Sequence, residues 1–132
     1  MAARSPFLIS LALVLVLISN CSLITAYSGT ATFYSSYGNS YCYGNKNQGV
    51  MIAAASDALG NKDAACGHIY NVTCVGPTNA VPHPCTSTPT VTVKIVDYCP
   101  GCGGTIDLSK EAFAKIANPV AGVIKIEYNR IK

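Results

Sequence analysis

The chain has 132 residues, half of them hydrophobic and 11% charged, with a formal net charge of +3. That length allows one domain, and so mild and scattered a positive charge excludes a nucleic-acid-binding surface. Seven cysteines in so short a chain point to covalent staples supporting a small core.

The first element is a targeting segment. Arg4 gives a positive start, Phe7 to Ile18 runs apolar for 12 residues, and the small-residue stretch "ITA" ends at Ala26. That order predicts a secretory signal peptide over residues 1–26, cut after Ala26. The apolar run is shorter than the about 20 residues that a spanning helix needs, so no membrane insertion is expected after cleavage. Residues 27–132 then form one domain with eight basic residues against six acidic. Cys21 leaves with the signal, and Cys42, Cys66, Cys74, Cys85, Cys99 and Cys102 remain. Six cysteines in a small secreted chain imply disulfides.

The strand signals that follow are short and numerous. "GTATFY" (Gly29 to Tyr34) is rich in β-branched and aromatic residues, "VMIAAA" (Val50 to Ala55) is an apolar run, and "HIYNVTCV" (His68 to Val75) suits a strand by composition. "TVTVKIVD" (Thr90 to Asp97) alternates, with Val91, Val93 and Ile95 on one face and Thr92 and Lys94 on the other. "GVIKIEYNRI" (Gly122 to Ile131) puts Ile124, Ile126 and Tyr128 on one face. These read as half-buried antiparallel strands. A further short strand is expected after Gly103-Gly104. One helix is expected over "LSKEAFAKIAN", with Ser109 as N-cap, Phe113 and Ile116 facing the core, and a stop at Asn118-Pro119. A second helical turn is expected at "SDALG". The segments "SSYGNSYCYGNKNQG" and "GPTNAVPHPCTSTP" are loops by their Gly, Asn, Ser and Pro content. The sum is a small, mainly β barrel or sandwich with one or two short helices.

The densest chemistry lies in "VDYCPGCGGTIDLS", residues 96–109. Cys99 and Cys102 have the spacing of a redox pair, but that chemistry wants a helix directly after the first cysteine, and here Gly103-Gly104 and a strand follow. A zinc site recruiting His68 or His83 lacks a second Cys-x-x-Cys or a His pair. The secretory compartment favours a structural disulfide, and no metal is expected. Asp97 and Asp107, at the ends of a hairpin-like loop, can face one cleft, as the paired carboxylates of glycosidases do. The plainer reading is that each bonds backbone N–H groups near a strand end or helix start. The helix beginning at Ser109 should lower the pKa of Asp107, the wrong direction for a general acid. Eight tyrosines and no tryptophan occur, with Tyr34, Tyr37, Tyr41 and Tyr43 close together. They can stack on sugar rings, or pack with their hydroxyls at the surface. Two histidines give a Ser-His-Asp triad little support, and there is no phosphate loop. Asn71-Val72-Thr73 is a glycosylation sequon within a strand-like segment.

Taken in order, "GTATFY", "YCYGN", "AAASDALGN…ACG" and "VDYCPGC…TIDLSKEAFAKIA" resemble the first domain of expansins and the family-45 endoglucanase-like, barwin-related group. Within that group the chain looks like the plant natriuretic peptides, the short secreted members. The resemblance covers nearly all of residues 27–132 and implies a six-stranded double-psi β-barrel. In members that cleave glycans the acid is an Asp in a His-Phe-Asp-Leu-Ser-like motif. Here "TIDLS" keeps Asp107 and has Thr105 where the His stands. Asp97 and Thr32 match groove positions of expansins, Tyr34 matches the first-strand aromatic, and the endoglucanases' separate base has no counterpart. Ile69 stands where expansins have a cysteine, and with the chain ending at Lys132 their second, polysaccharide-binding domain is not expected. The resemblance implies the pairing Cys42–Cys66, Cys74–Cys85 and Cys99–Cys102. It further implies a monomeric protein of the apoplast or cell wall, non-enzymatic and without cofactor, acting in water and solute homeostasis. Its partner would be a cell-surface receptor or a cell-wall polysaccharide. The alternatives are a wall-loosening or polysaccharide-binding module using Thr32, Tyr34, Asp97 and Asp107, and a lytic enzyme with Asp107 as acid.

Overall fold

In the computed structural model, which describes residues 23–60 and 63–132, the alternating segments become six strands. These are β1 (Tyr27–Tyr34), β2 (Ile52–Ala55), β3 (Ile69–Pro77), β4 (Thr90–Tyr98), β5 (Ile106–Ser109) and β6 (Ile124–Arg130). Nearly all of the expected signal peptide lies outside the described residues. The strands close into one barrel in the order β1-β5-β2-β4-β3-β6. Small and branched side chains fill its interior: Ala31, Ala53, Val72, Val93, Ile95, Ile106, Leu108, Ile124 and Ile126 are each at most 1% exposed. Closure leaves no unpaired sheet edge.

Two features of the pairing differ from the sequence reading. β1 runs parallel to β5, and β2 runs parallel to β4, while the other four pairings are antiparallel. Alternation reports which face is buried and carries no information on strand direction, so the expected all-antiparallel pattern is corrected. The segment between Asp97 and Asp107 is also not a hairpin. β4 and β5 flank β2 on opposite sides, and the chain crosses over β2 to join them.

The helix α1 (Lys110–Ile116) follows β5 directly. Ser109 caps it, its hydroxyl accepting from the Ala112 N–H at 3.0 Å, and Ala117 ends it with extended backbone. Phe113 and Ile116 are fully buried, and the Phe113 ring meets Phe33 at 4.9 Å between centroids. Short 3-10 turns occupy Asp57–Leu59 and Pro119–Ala121. Three disulfides join Cys42–Cys66, Cys74–Cys85 and Cys99–Cys102, with Cα separations of 5.7, 5.5 and 5.5 Å. Cys42–Cys66 ties the long loop after β1 to the segment before β3. The three pairs are those that the resemblance implies.

Candidate functional site

The register of four strands builds one row across the outside of the barrel. Thr32 on β1 pairs with Asp107 on β5, Asp107 with Ala54 on β2, and Ala54 with Asp97 on β4. Partners across a ladder share a face, so these side chains point the same way. The neighbours Ala31, Ile106, Ala53 and Ile95 point into the core. Tyr34, two residues beyond Thr32 on β1, lies on the same outer face. Asp97 and Asp107 are two strands apart, about 10 Å between backbones.

Asp97 reaches this face only through a bulge. Strict alternation after Val91, Val93 and Ile95 would send Asp97 into the core. Instead the register shifts, Ala53 pairing with Ile95 and Ala54 with Asp97, so Val96 has no partner. The extra residue turns Asp97 outward, which avoids the large cost of an unpaired charge in the barrel. Val96 lies under the long loop, where its carbonyl accepts from the Cys42 N–H at 3.0 Å.

The two carboxylates have different surroundings. Asp107 is half-buried, and its Oδ1 accepts from the Thr32 hydroxyl at 2.9 Å. The Cys102 sulfur lies 3.9 Å from its Oδ2, so the short disulfide loop covers one side of the carboxyl. Burial pushes the Asp107 pKa up, the Thr32 bond pulls it down, and the charge on Asp97 adds to the rise. The net direction is upward, which corrects the lowering expected from the helix. Ser109, not Asp107, occupies the cap, and the Asp107 side chain points across to Thr32. Asp97 Oδ1 accepts from two backbone groups, the N–H of Tyr41 at 3.0 Å and of Tyr98 at 2.9 Å.

The Tyr34 hydroxyl is buried without a hydrogen-bond partner. Desolvation raises its pKa strongly, and the charges on Asp97 and Asp107 add to that. Of the two readings of the tyrosines, packing with the hydroxyl at the surface does not hold for Tyr34, whose ring forms a T-shaped pair with that of Tyr37 at 5.3 Å between centroids. The Tyr37 hydroxyl in turn donates to Glu111 and accepts from the Lys110 N–H at 3.0 Å, which fixes the loop to the first turn of α1. Beyond Tyr37 a cavity of about 430 Å³ opens under the loop, lined among others by Ser40, Asn45, Gln48, Ile52 and Val96.

Thr105, at the position where the resemblance implies a His, serves the barrel. Its Oγ1 accepts from the Thr30 N–H at 3.2 Å, and its carbonyl accepts from the Ser56 hydroxyl at 2.7 Å. Gly104 lets this loop close on β1: a Cβ there would stand 3.2 Å from the Thr30 carbonyl oxygen and 3.3 Å from the Thr32 nitrogen.

Thr32, Tyr34, Asp97 and Asp107 thus come together, with the Cys99–Cys102 loop against them. Asn71 does not join them. It lies in mid-β3, its side-chain oxygen accepting from the Thr92 hydroxyl at 2.7 Å. Joined as a disulfide, Cys99 and Cys102 offer no thiolate to a metal. Sequence reasoning missed Ala54, which separates the two carboxylates, and Glu111, which holds Tyr37. Neither belongs to a motif, and only the barrel register or the helix docking reveals them.

Comparisons with known proteins fit this geometry. The family model described as lytic transglycolase matches residues 28–128. An EG45-like domain containing protein of Arabidopsis thaliana is 57% identical over 114 residues, 86% of this chain and 90% of its own length. One from Citrus jambhiri is 51% identical over 133 residues, 98% and 99% of the two chains. Among solved structures, a mutant Clavibacter michiganensis expansin in complex with cellohexaose aligns with a TM-score of 0.62 at 28% identity. The alignment covers 82% of this chain and 51% of that one, so the chain spans about half the length of that expansin.

Proposed function

The chain belongs to the expansin- and barwin-like superfamily, within the family that the lytic transglycolase model describes, and on that premise we propose that it is a secreted module that binds cell-wall polysaccharide without cutting it. The fold is the double-psi β-barrel that this membership implies. The observation carrying the reading is the outward row Thr32–Asp107–Ala54–Asp97 beside Tyr34. It offers the Thr32 hydroxyl and the Asp97 and Asp107 carboxylates, each partly exposed, to sugar hydroxyls, on a barrel whose expansin relative was solved with cellohexaose.

Cleavage by two carboxylates needs one to hold a proton and the other to attack, or to activate water. Asp97 has an oxygen committed to two backbone N–H groups, so it acts here as a structural acceptor. The lytic reading has one observation in its favour. Asp107 holds its proton to a higher pH than an ordinary carboxylate, as a general acid must.

The test is retention on insoluble cellulose and xylan, with reducing ends measured in the same tubes. Retention lost in Asp107→Ala, without sugar release by the wild type, is the expected outcome. Release that depends on Asp107 would convert the binding module into an enzyme.

Secretion rests on the signal pattern of residues 1–26, and β1 beginning at Tyr27 supports the cut after Ala26. N-terminal sequencing of the secreted protein should begin at Tyr27. A role in water and solute homeostasis, acting from the apoplast through a receptor or wall polymer, rests on the resemblance to the plant natriuretic peptides. Wall-free protoplasts that swell with the protein would support a receptor. Swelling confined to cells with walls would place the action in the polysaccharide.

A further inference from the structure

The turn from Cys99 to Cys102 is held by more than its disulfide. That bridge spans three positions, against 24 for Cys42–Cys66 and 11 for Cys74–Cys85, so it removes the least freedom from the unfolded chain. Backbone bonds fix the segment at both ends. The Cys99 N–H donates to the Ala55 carbonyl at 2.9 Å, and the Thr105 N–H donates to the Thr30 carbonyl at 2.8 Å. Cys99 and Cys102 are partly exposed, and Pro100, Gly101 and Gly103 around them are exposed, so a reagent in solution can reach the bridge.

The neighbour of the bridge gives it a use. The two sulfurs and a carboxylate oxygen of Asp107 all lie within 4.8 Å of one another. The Thr32 hydroxyl donates to Oδ1 of that carboxylate at 2.9 Å, while Oδ2 faces Cys102. We propose that Cys99, Cys102 and Asp107 form a site for a thiophilic divalent cation of the zinc type, opened when a dithiol reduces the bridge. One thiolate of the reductant attacks a bridge sulfur and forms a mixed disulfide, and its second thiol displaces the protein sulfur. Two electrons and two protons pass to the cysteine pair, and the reductant ends as a disulfide. The cation takes both cysteines as thiolates, and their two protons go to solvent. Cys-x-x-Cys is a common spacing of zinc thiolates, a carboxylate serves as third ligand, and the fourth position stays open to water. Thr32 orients the carboxylate, as hydrogen-bond partners of metal ligands do. A cation held there takes Asp107 out of the outward row, so on the polysaccharide reading above it also prevents sugar binding.

The experiment is limited reduction of the folded protein with dithiothreitol, alkylation mapping of the freed thiols, and titration with Zn²⁺ and Cd²⁺ after the reductant is removed without air. Cys99 and Cys102 should be freed before Cys42, Cys66, Cys74 and Cys85, and the reduced protein should bind Cd²⁺ with a thiolate charge-transfer band. Neither the oxidised protein nor the double variant Cys99→Ser, Cys102→Ser should show the band, and the double variant should stay folded by circular dichroism. Asp107→Asn should keep the band and lose at least about tenfold in Zn²⁺ affinity. Earlier reduction of another bridge, no band once Cys99 and Cys102 are free, an unfolded double variant, or equal Zn²⁺ affinity in Asp107→Asn would overturn the site. Zn²⁺ should also abolish cellohexaose binding by the reduced protein, and a chelator should restore it. Unchanged cellohexaose binding would overturn that coupling. Failure of the oxidised protein to bind cellohexaose would overturn the polysaccharide reading, and the cadmium band would still decide the metal site.

Discussion

Asp107 keeps its proton to a higher pH than a solvated carboxylate because the disulfide loop and β1 shield it from water. A carboxyl whose pKa rises on folding binds its proton more tightly in the folded chain. Below the unfolded value both states hold the proton, and the group costs nothing. As pH climbs through the folded value, the fold takes on the full cost of the shielded charge. Asp107→Asn should therefore raise Tm at neutral pH, and the gain should shrink as pH falls toward the ordinary carboxylate range. A less stable Asn variant whose deficit persists in acid would contradict this. Thr32→Val removes the hydroxyl that compensates the charge and should cost about 1–2 kcal/mol in urea unfolding. The identities of Thr32, Tyr34, Asp97 and Asp107 were legible from motif resemblance. The direction of the Asp107 shift was not, because it depends on the burial of the carboxyl in the folded barrel, which no local pattern encodes. The cap falls at Ser109, as the sequence implies, while the Asp107 side chain turns across to Thr32.

The strands and α1 could be read from period and capping, within a residue or three at their ends. Their directions could not, since a buried face looks alike in parallel and antiparallel pairs. The bulge at Val96 was also hidden: Val96 follows Ile95 directly, and nothing local marks where the alternation breaks. Yet that bulge brings Asp97 into line with Asp107. The contact of β1 with the loop before β5 is equally tight. A Cβ on Gly29 would stand 2.4 Å from Thr105 Oγ1 and 2.9 Å from Thr105 Cβ. Gly29→Ala should therefore cost about 1–3 kcal/mol by crowding and by loss of the Thr105 bond to Thr30. Adding Thr105→Ala should recover part of it. Denaturation of Gly29→Ala at the wild-type midpoint would show that the loop moves away freely.

For the whole molecule, the expected secretory signal and the even cysteine count that its removal would leave indicated the staples, and the resemblance supplied their pairing. What a chain of this size cannot bury it can partly replace with cross-links. Cys42–Cys66 closes the longest of the three loops, spanning 24 positions, and pins the segment that carries Tyr37 and Tyr41 to the barrel. Replacing both cysteines with alanine should cost about 3 kcal/mol. It should weaken cellohexaose binding more than the alanine pair at Cys74 and Cys85 does, because Cys74 lies on β3, outside the four strands that build the row. Equal losses from the two pairs would mean that the loop holds its shape without the bridge.

The central claim is that the face around Asp107 takes up a glucan and leaves it intact, and calorimetric titration with cellohexaose, followed by a reducing-end assay on the same sample, tests it most directly. Saturable binding by the wild type, its loss in Asp107→Ala with the fold retained, and a constant count of reducing ends are the predicted result. Equal binding by Asp107→Ala, no binding by the wild type, or reducing ends that accumulate with time would contradict it.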